Sequence, residues 1–181
     1  MSNIVIISGS PSHPSRSSVI AAYLEKILVT EGNQVSTITV RDLPAEDLLF
    51  ANFNSLEIKQ AQSQVEQAQA VIIVSPVYKA SYPGLLKSFL DLIPEKGLVN
   101  KVVLPVASGG TIAHLLSLEF AFKPVFSILG SQEIINGVFI VDSDISYKDQ
   151  LTFANTDIEQ RLKSALKDVV NRLPKDVAVE N

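Results

Sequence analysis

The stretch that decides the fold is IVIISGSPSHPSRSSVIAAYLEKILV, residues 4–29. Its first residues form a continuous β-branched run, which is typical of a strand buried on both faces of a sheet. From residue 17 onward the apolar side chains recur at helical spacing, so we predict a helix over 17–29. A loop of serines, prolines and one arginine lies between them. The order strand, loop, helix indicates the start of a βα unit.

The same alternation continues to the end of the chain. We predict further strands over 34–40, 70–75, 101–107 and 134–141, and further helices over 55–69, 84–93, 111–128 and 157–173. Pro105 is unusual inside a strand, Pro124 should kink or end its helix, and Gly137 indicates a bulge. The pattern predicts an α/β fold, a doubly wound five-stranded parallel sheet with helices on both faces. We expect one domain over 1–173 and a loose tail over 174–181.

Composition narrows the class of protein. The chain has 181 residues, of which 46% are hydrophobic and 19% charged, with a net charge of −4. This composition is globular, and the acidic balance argues against a nucleic-acid partner or an anionic membrane surface. Absence of cysteine excludes disulfides, thiolate nucleophiles and Cys-ligated metals. The start, MSNIVIISGSP, lacks a signal-peptide pattern and no apolar run is long enough to span a bilayer, so we expect a cytoplasmic protein.

The first loop, residues 9–18, is rich in hydroxyls. In such sheets ligands bind beyond the carboxyl ends of the strands, so the loops after strands 1, 3 and 4 are the candidate site. The loop lacks the glycine patterns of dinucleotide and P-loop sites. A helix N-terminus with several hydroxyls and an arginine suits a phosphate monoester, whereas the alternative is ordinary helix capping. The candidate ligands are Ser10, Ser15, Arg16, Ser17 and Ser18.

The second loop, SPVYKASYPG, follows the third strand. Its prolines and glycine fix the backbone, and Val77, Tyr78 and Tyr82 offer flat apolar surface, as the wall of a site for a planar ring requires. The alternative is that the tyrosines only pack against the next helix or a neighbouring subunit. Lys87 and Asp91 lie four residues apart on that helix, and we expect an ion pair rather than catalysis.

The third loop, ASGGTIAH, follows the fourth strand. Gly109 and Gly110 let the backbone approach a ligand closely, and their N–H groups suit the carbonyl oxygens of a ring. The alternative is a tight turn with no ligand. His114, in the helix that follows, is more typical of a surface or interface residue than of a catalytic one, and His13 is interpreted as a plain loop residue.

Together these segments resemble the NAD(P)H-dependent FMN reductases of flavodoxin-like fold, and in particular the reductases of alkanesulfonate utilisation. The resemblance rests on GSPSHPSRSS at 9–18, SPVYKASYPGLLKSFLD at 75–91 and ASGGTIAHLL at 107–116, each after its own strand. The stretch EDLLFA at 46–51 is also similar. The resemblance extends to about residue 173.

The resemblance implies a cofactor and a reaction. FMN would be bound without a covalent link, would accept a hydride from NADPH or NADH, and would leave for a monooxygenase. Ser10, Ser15, Arg16, Ser17 and Ser18 would hold the phosphate; Pro76, Val77, Tyr78 and Lys79 would line the isoalloxazine; Ser108, Gly109, Gly110 and Thr111 would contact its other edge. No side chain need act as an acid or base, and no metal is implied. The family assembles as homodimers or homotetramers.

One residue departs from the resemblance. Alkanesulfonate-type reductases carry a tyrosine in a π-bulge of the helix after the third loop, and here Phe120 stands at that place. The loss of its hydroxyl leaves open whether flavin is a substrate or a retained prosthetic group. One alternative is therefore a protein with tightly bound FMN that reduces quinones, azo compounds or metal oxyanions. The others are a flavodoxin-like electron carrier and a domain that has lost its flavin.

Overall fold

The computed structural model describes residues 2–147, 151–154 and 156–174. The strands of its main sheet are β1 (Asn3–Ser8), β2 (Gln34–Thr39), β3 (Ala70–Pro76), β4 (Val102–Gly109), β5 (Glu133–Ile134) and β6 (Val138–Val141). They run parallel in the order β2-β1-β3-β4, and β4 pairs on its other side with both β5 and β6. Since β5 and β6 share one position, the predicted five-stranded parallel sheet is confirmed.

Helices cover both faces of this sheet. They are α1 (Arg16–Thr30), α2 (Ala45–Leu49), α3 (Leu56–Gln67), α4 (Gly84–Leu90), α5 (Lys123–Ile128) and α6 (Thr156–Arg172). The sequence analysis missed α2 and the short antiparallel hairpin of β7 (Ile145–Ser146) and β8 (Thr152–Phe153). It also extended α4 to residue 93, whereas a turn follows Leu90. Of the predicted tail, residues 175–181 lie outside the described residues.

β1 is buried on both of its faces, as its apolar run predicts. Val5 and Ile7 pack into a layer with α3, α4 and α5, while Ile4 and Ile6 pack into a second layer with α1 and α6. All four side chains are fully buried. Burying an aliphatic side chain of this size stabilises a fold by about 1.5–3 kcal/mol. Two such layers fix the strand ends, and therefore the loops that follow them.

The fifth strand, predicted as continuous over 134–141, is broken in two. Pro105 of β4 has no N–H to donate to the ladder. A Cβ at Gly137 would approach the Pro105 carbonyl oxygen to 2.9 Å and its ring to 3.0 Å. The glycine expected at a bulge therefore lies where the chain bends past Pro105, between β5 and β6.

The segment predicted as helical over 111–128, with an interruption at Pro124, is not one continuous helix. A 3₁₀ turn covers Ile112–His114, a π-helical turn covers Leu118–Phe122, and α5 follows. Pro124 accounts for the wide turn, because it cannot donate an N–H to the carbonyl of Phe120 and its ring would clash with that carbonyl in an α-helix. The interruption expected at Pro124 is thus confirmed. No helix among the described residues is long and apolar enough to cross a membrane.

Candidate active site

The loops after β1, β3 and β4 meet at one edge of the sheet and line a pocket of about 300 Å³. The predicted site residues in its lining are Ser10, Ser15, Arg16, Ser17, Pro76, Val77, Tyr78, Ser108, Gly109 and Gly110. Three other predicted residues, Ser18, Lys79 and Thr111, belong to the same loops but lie outside the lining. The fold therefore brings together three segments that are far apart in sequence.

A larger groove, of about 480 Å³, lies at the opposite edge of the sheet. Its lining includes Asn3, Gln34 and Gln67 and contains no charged side chain. The smaller pocket contains a guanidinium, a carboxylate and several hydroxyls. Of these two sites, the smaller pocket is therefore the one suited to a charged ligand.

Ser15 and Ser18 together cap α1. The Ser15 hydroxyl accepts a hydrogen bond from the Ser18 N–H at 3.0 Å, and the Ser18 hydroxyl accepts one from the Ser15 N–H at 3.2 Å. The Ser18 hydroxyl also donates to the Ser15 carbonyl at 2.8 Å. This reciprocal arrangement is a capping box, which satisfies N–H groups at the helix start. The capping interpretation of the serines thus holds for this pair.

Ser17 and Arg16 have polar atoms with no partner in the protein. The Ser17 side chain is 1% exposed, and its hydroxyl makes no hydrogen bond. The Nε of Arg16 is also buried and unpaired. Both residues line the pocket beside the free N–H groups of the α1 N-terminus. Buried polar atoms are normally satisfied, so this corner is suited to an oxyanion that accepts several hydrogen bonds.

Arg16 is held by two residues that the sequence analysis missed. Its Nη1 lies 3.6 Å from Oδ2 of Asp142, and its guanidinium carbon lies 5.6 Å from the centre of the Tyr147 ring. Both partners line the pocket, as do Ser12 and Pro14. Asp142 follows β6 directly, and a carboxylate at the carboxyl end of a parallel strand was a usable signal. Tyr147 had no such signal.

The second loop forms a rigid wall. The Val77 N–H donates to the Ser108 carbonyl at 2.7 Å, which ties this loop to the third one. The Tyr78 N–H donates to the Ser81 carbonyl at 2.7 Å, and the Ser81 N–H donates back at 3.1 Å. Lys79 and Ala80 close this turn at φ of +51° and +65°. Because two consecutive residues are left-handed, the turn is tight and resembles those of hairpins.

Gly9 and Gly110 of the site lack a side chain for different structural reasons. A Cβ at Gly9 would meet the Leu86 side chain at 2.8 Å, so this glycine lets α4 pack against the end of β1. Gly110 has no heavy atom within 4 Å of the same position, so its backbone borders open space beside the pocket. A ligand therefore meets main chain rather than a side chain at Gly110.

The turn after the glycines contains Thr111 and His114. The Thr111 hydroxyl accepts a hydrogen bond from the Ala113 N–H at 3.3 Å, so it caps the 3₁₀ turn. The Nδ1 of His114 is buried, has no partner, and lies 3.5 Å from a Cβ built on Gly109. His114 thus supports the glycine turn from behind and is absent from the pocket lining.

The structure also places the neighbouring residues that the sequence singled out. Tyr82 packs edge-on against Phe122 with 5.0 Å between ring centres, so it behaves as a packing residue, and burial raises its pKa. Lys87 and Asp91 form the expected exposed ion pair, with 2.5 Å between Nζ and Oδ1. Phe120 lies within the π-helical turn and is 77% exposed.

These features define a class of protein. The protein has a doubly wound parallel sheet of flavodoxin-like kind. At the carboxyl ends of its strands, an oxyanion site at the first helix lies next to a flat wall after the third strand, which is typical of a site for a nucleotide-type cofactor. A family model of NADPH-dependent FMN reductases matches residues 2–145. The chain belongs to this family, as its motifs indicate, and it is an oxidoreductase that uses FMN with NADPH or NADH.

Relatives agree with this assignment. The chain is 44% identical to an FMN reductase (NADPH) of Pseudomonas putida, over 97% of this chain and 91% of the relative. It is 43% identical to an FMN reductase (NADPH) of Escherichia coli, over 91% of this chain and 86% of the relative. A crystal structure of the apo form of an NADH:FMN oxidoreductase, EMOB, superposes with a TM-score of 0.88 at 32% identity. That match covers 98% of this chain and 93% of the other.

Proposed function

We propose that the chain transfers a hydride from NADPH or NADH to FMN that it binds as an exchanging substrate. Reduced FMN then leaves for a flavin-dependent monooxygenase, such as an alkanesulfonate monooxygenase. The observation that carries the proposal is the pair of buried, unpaired atoms, Arg16 Nε and Ser17 Oγ, at the start of α1. A phosphate monoester supplies the acceptors that both atoms lack. A phosphate next to a flat apolar wall is the arrangement that FMN requires.

The proposed contacts divide among the three loops. The phosphate would be held by Ser10, Ser15, Arg16, Ser17 and Ser18. The ring would lie against Pro76, Val77, Tyr78 and Lys79, and its other edge would face Ser108, Gly109, Gly110 and Thr111. Since Ser18, Lys79 and Thr111 lie outside the pocket lining, their contributions are expected to be smaller than those of the other ten residues.

The chemistry of hydride acceptance belongs to FMN when it is bound. The contribution of the chain is placement. The turn at Tyr78–Ser81 fixes the wall, and the backbone at Gly110 borders open space, where its N–H group would favour negative charge on a nearby oxygen. We therefore assign no side chain as a general acid or base.

The test is the rate of NADPH oxidation by the purified protein while free FMN is titrated. We expect almost no oxidation without added FMN and a rate that saturates with it. Yellow protein whose rate is independent of added FMN would instead support tightly bound FMN and reduction of quinones, azo compounds or metal oxyanions. No oxidation in either condition would contradict the enzyme and leave the electron carrier.

We also propose that the chain assembles with itself as a homodimer or homotetramer. Apolar side chains after the third loop are exposed next to the site, and they are Ile112, Leu115, Leu116 and Phe120. Several exposed apolar side chains within one short segment are typical of a protein interface.

A further inference from the structure

Asp142 places a negative charge inside the pocket that we assign to a phosphate. Among the lining residues, Arg16 carries the positive charge and Asp142 carries the negative one, and their closest atoms are 3.6 Å apart. The two side chains are 39% and 34% exposed, so water screens the pair only in part. Before a ligand arrives, the carboxylate thus neutralises much of the charge that would attract a phosphate.

The Asp142 carboxylate affects the affinity of the pocket for a phosphate in two opposite ways. By holding Arg16 in place it reduces the ordering that binding requires, which strengthens binding. By competing for the guanidinium and repelling the dianion it weakens binding. The separation of 3.6 Å exceeds hydrogen-bond length, and the Tyr147 ring at 5.6 Å orients Arg16 independently. The orienting effect of Asp142 is therefore the smaller one. The net effect of the carboxylate is to weaken phosphate binding.

We propose that Asp142 weakens the hold of Arg16 on the FMN phosphate, by competing for the guanidinium and repelling the phosphate, and so allows flavin to exchange. The inference rests on the proposed function, because it takes the Arg16 corner as the phosphate site. Neutralising the Asp142 carboxylate should therefore increase the affinity for FMN. It should not change the affinity for a flavin that has no phosphate. The proposal thus assigns fast release to one carboxylate rather than to a loose ring site.

The experiment compares Asp142→Asn with Asp144→Asn. Asp144 lies on the same short turn and is absent from the pocket lining, so both variants change the net charge equally. Dissociation constants for FMN and for riboflavin are measured by quenching of flavin fluorescence, and dissociation rates by stopped flow. We expect Asp142→Asn to bind FMN about three- to tenfold more tightly and to release it more slowly. Riboflavin binding should not change, and Asp144→Asn should match the wild type.

Three results would overturn the proposal. Weaker FMN binding by Asp142→Asn would mean that orienting Arg16 is the main role of the carboxylate. Equal tightening by Asp144→Asn would indicate a general charge effect, and equal tightening of riboflavin would place the effect at the ring. Asp142→Ser, with circular dichroism to confirm folding, repeats the measurement if Asp142→Asn folds poorly.

The wild-type protein separates this inference from the proposed function. A wild type that binds FMN and riboflavin equally would show that the corner is not a phosphate site, and both proposals would fail. A wild type that prefers FMN, combined with no tightening in either Asp142 variant, would overturn only the role of Asp142.

Discussion

At the scale of the residue, Ser17 shows how one hydroxyl has opposite effects on stability and binding. Its buried Oγ has no partner, so Ser17→Ala should stabilise the ligand-free protein by about 1 kcal/mol. The same variant loses a hydrogen bond to a charged oxygen, so its dissociation constant for FMN should rise about ten- to a hundredfold. Thermal unfolding and flavin fluorescence measure the two effects on the same sample.

The matched control is Ser164→Ala, which removes an exposed hydroxyl from α6. It should leave FMN affinity unchanged. If Ser17→Ala destabilises the ligand-free protein and binds FMN as the wild type does, the hydroxyl has a structural role and does not contact the phosphate.

Single residues of the site were predictable by type but not by role. The loop sequence predicts a cluster of hydroxyls at the helix start, yet Ser15 and Ser18 cap α1 while Ser17 lies unpaired in the pocket. The three-residue spacing of Ser15 and Ser18 was the capping signal. Asp142 contacts Arg16 across a long interval of sequence, which only the folded sheet establishes.

At the scale of the elements, α1 and α6 are linked by Tyr23 and Glu159. The Tyr23 hydroxyl donates to Oε1 of Glu159 at 2.8 Å. Burial, followed by this hydrogen bond, raises the pKa of Tyr23. Hydrogen bonds from Lys163 and then from Tyr23 lower the pKa of Glu159 below its ordinary value. The charged carboxylate is therefore favoured in the folded protein.

This link predicts a pH dependence of stability. Because the pKa of Glu159 is lower in the folded than in the unfolded state, the unfolded state binds more protons at acidic pH. The stabilisation is complete above the unfolded pKa and is lost as the pH falls through the folded one. Urea unfolding should therefore show wild type more stable than Glu159→Gln at about pH 6, with the difference shrinking toward about pH 3.

Two further variants check the assignment to this link. Tyr23→Phe should lose part of the same pH-dependent difference, whereas Glu31→Gln, an exposed carboxylate at the end of α1, should retain it. A Glu159→Gln protein whose stability follows the wild type at every pH would show that the link contributes nothing.

The elements themselves were predictable where hydrophobic spacing is regular, and not where backbone donors are missing. The strands and α1 follow from apolar runs and helical spacing alone. Residues 111–128 keep helical spacing as well, so the π-helical turn is indicated by Pro124 and by the family resemblance rather than by the spacing. Pro105 and Gly137 break the fifth strand by close contact across the sheet, which spacing within one segment does not reveal.

At the scale of the whole molecule, exposed apolar surface lies beside the site. Ile112, Leu116 and Phe120 are exposed on the turns between β4 and α5. These turns follow the third loop of the site. A partner copy seated there would cover the approach to the third loop.

Phe120→Ser tests this surface. Burying a phenylalanine contributes about 1.5–3 kcal/mol, and a symmetric interface counts it twice, so the variant should raise the dissociation constant of the assembly at least about a hundredfold. Light scattering after size-exclusion chromatography, over a range of concentrations, measures the shift toward monomer. Phe50→Ser is the control, because Phe50 is 76% exposed at the end of α2, in a different part of the chain. Dissociation by Phe50→Ser alone would place the interface at α2, and a monomeric wild type would refute self-assembly.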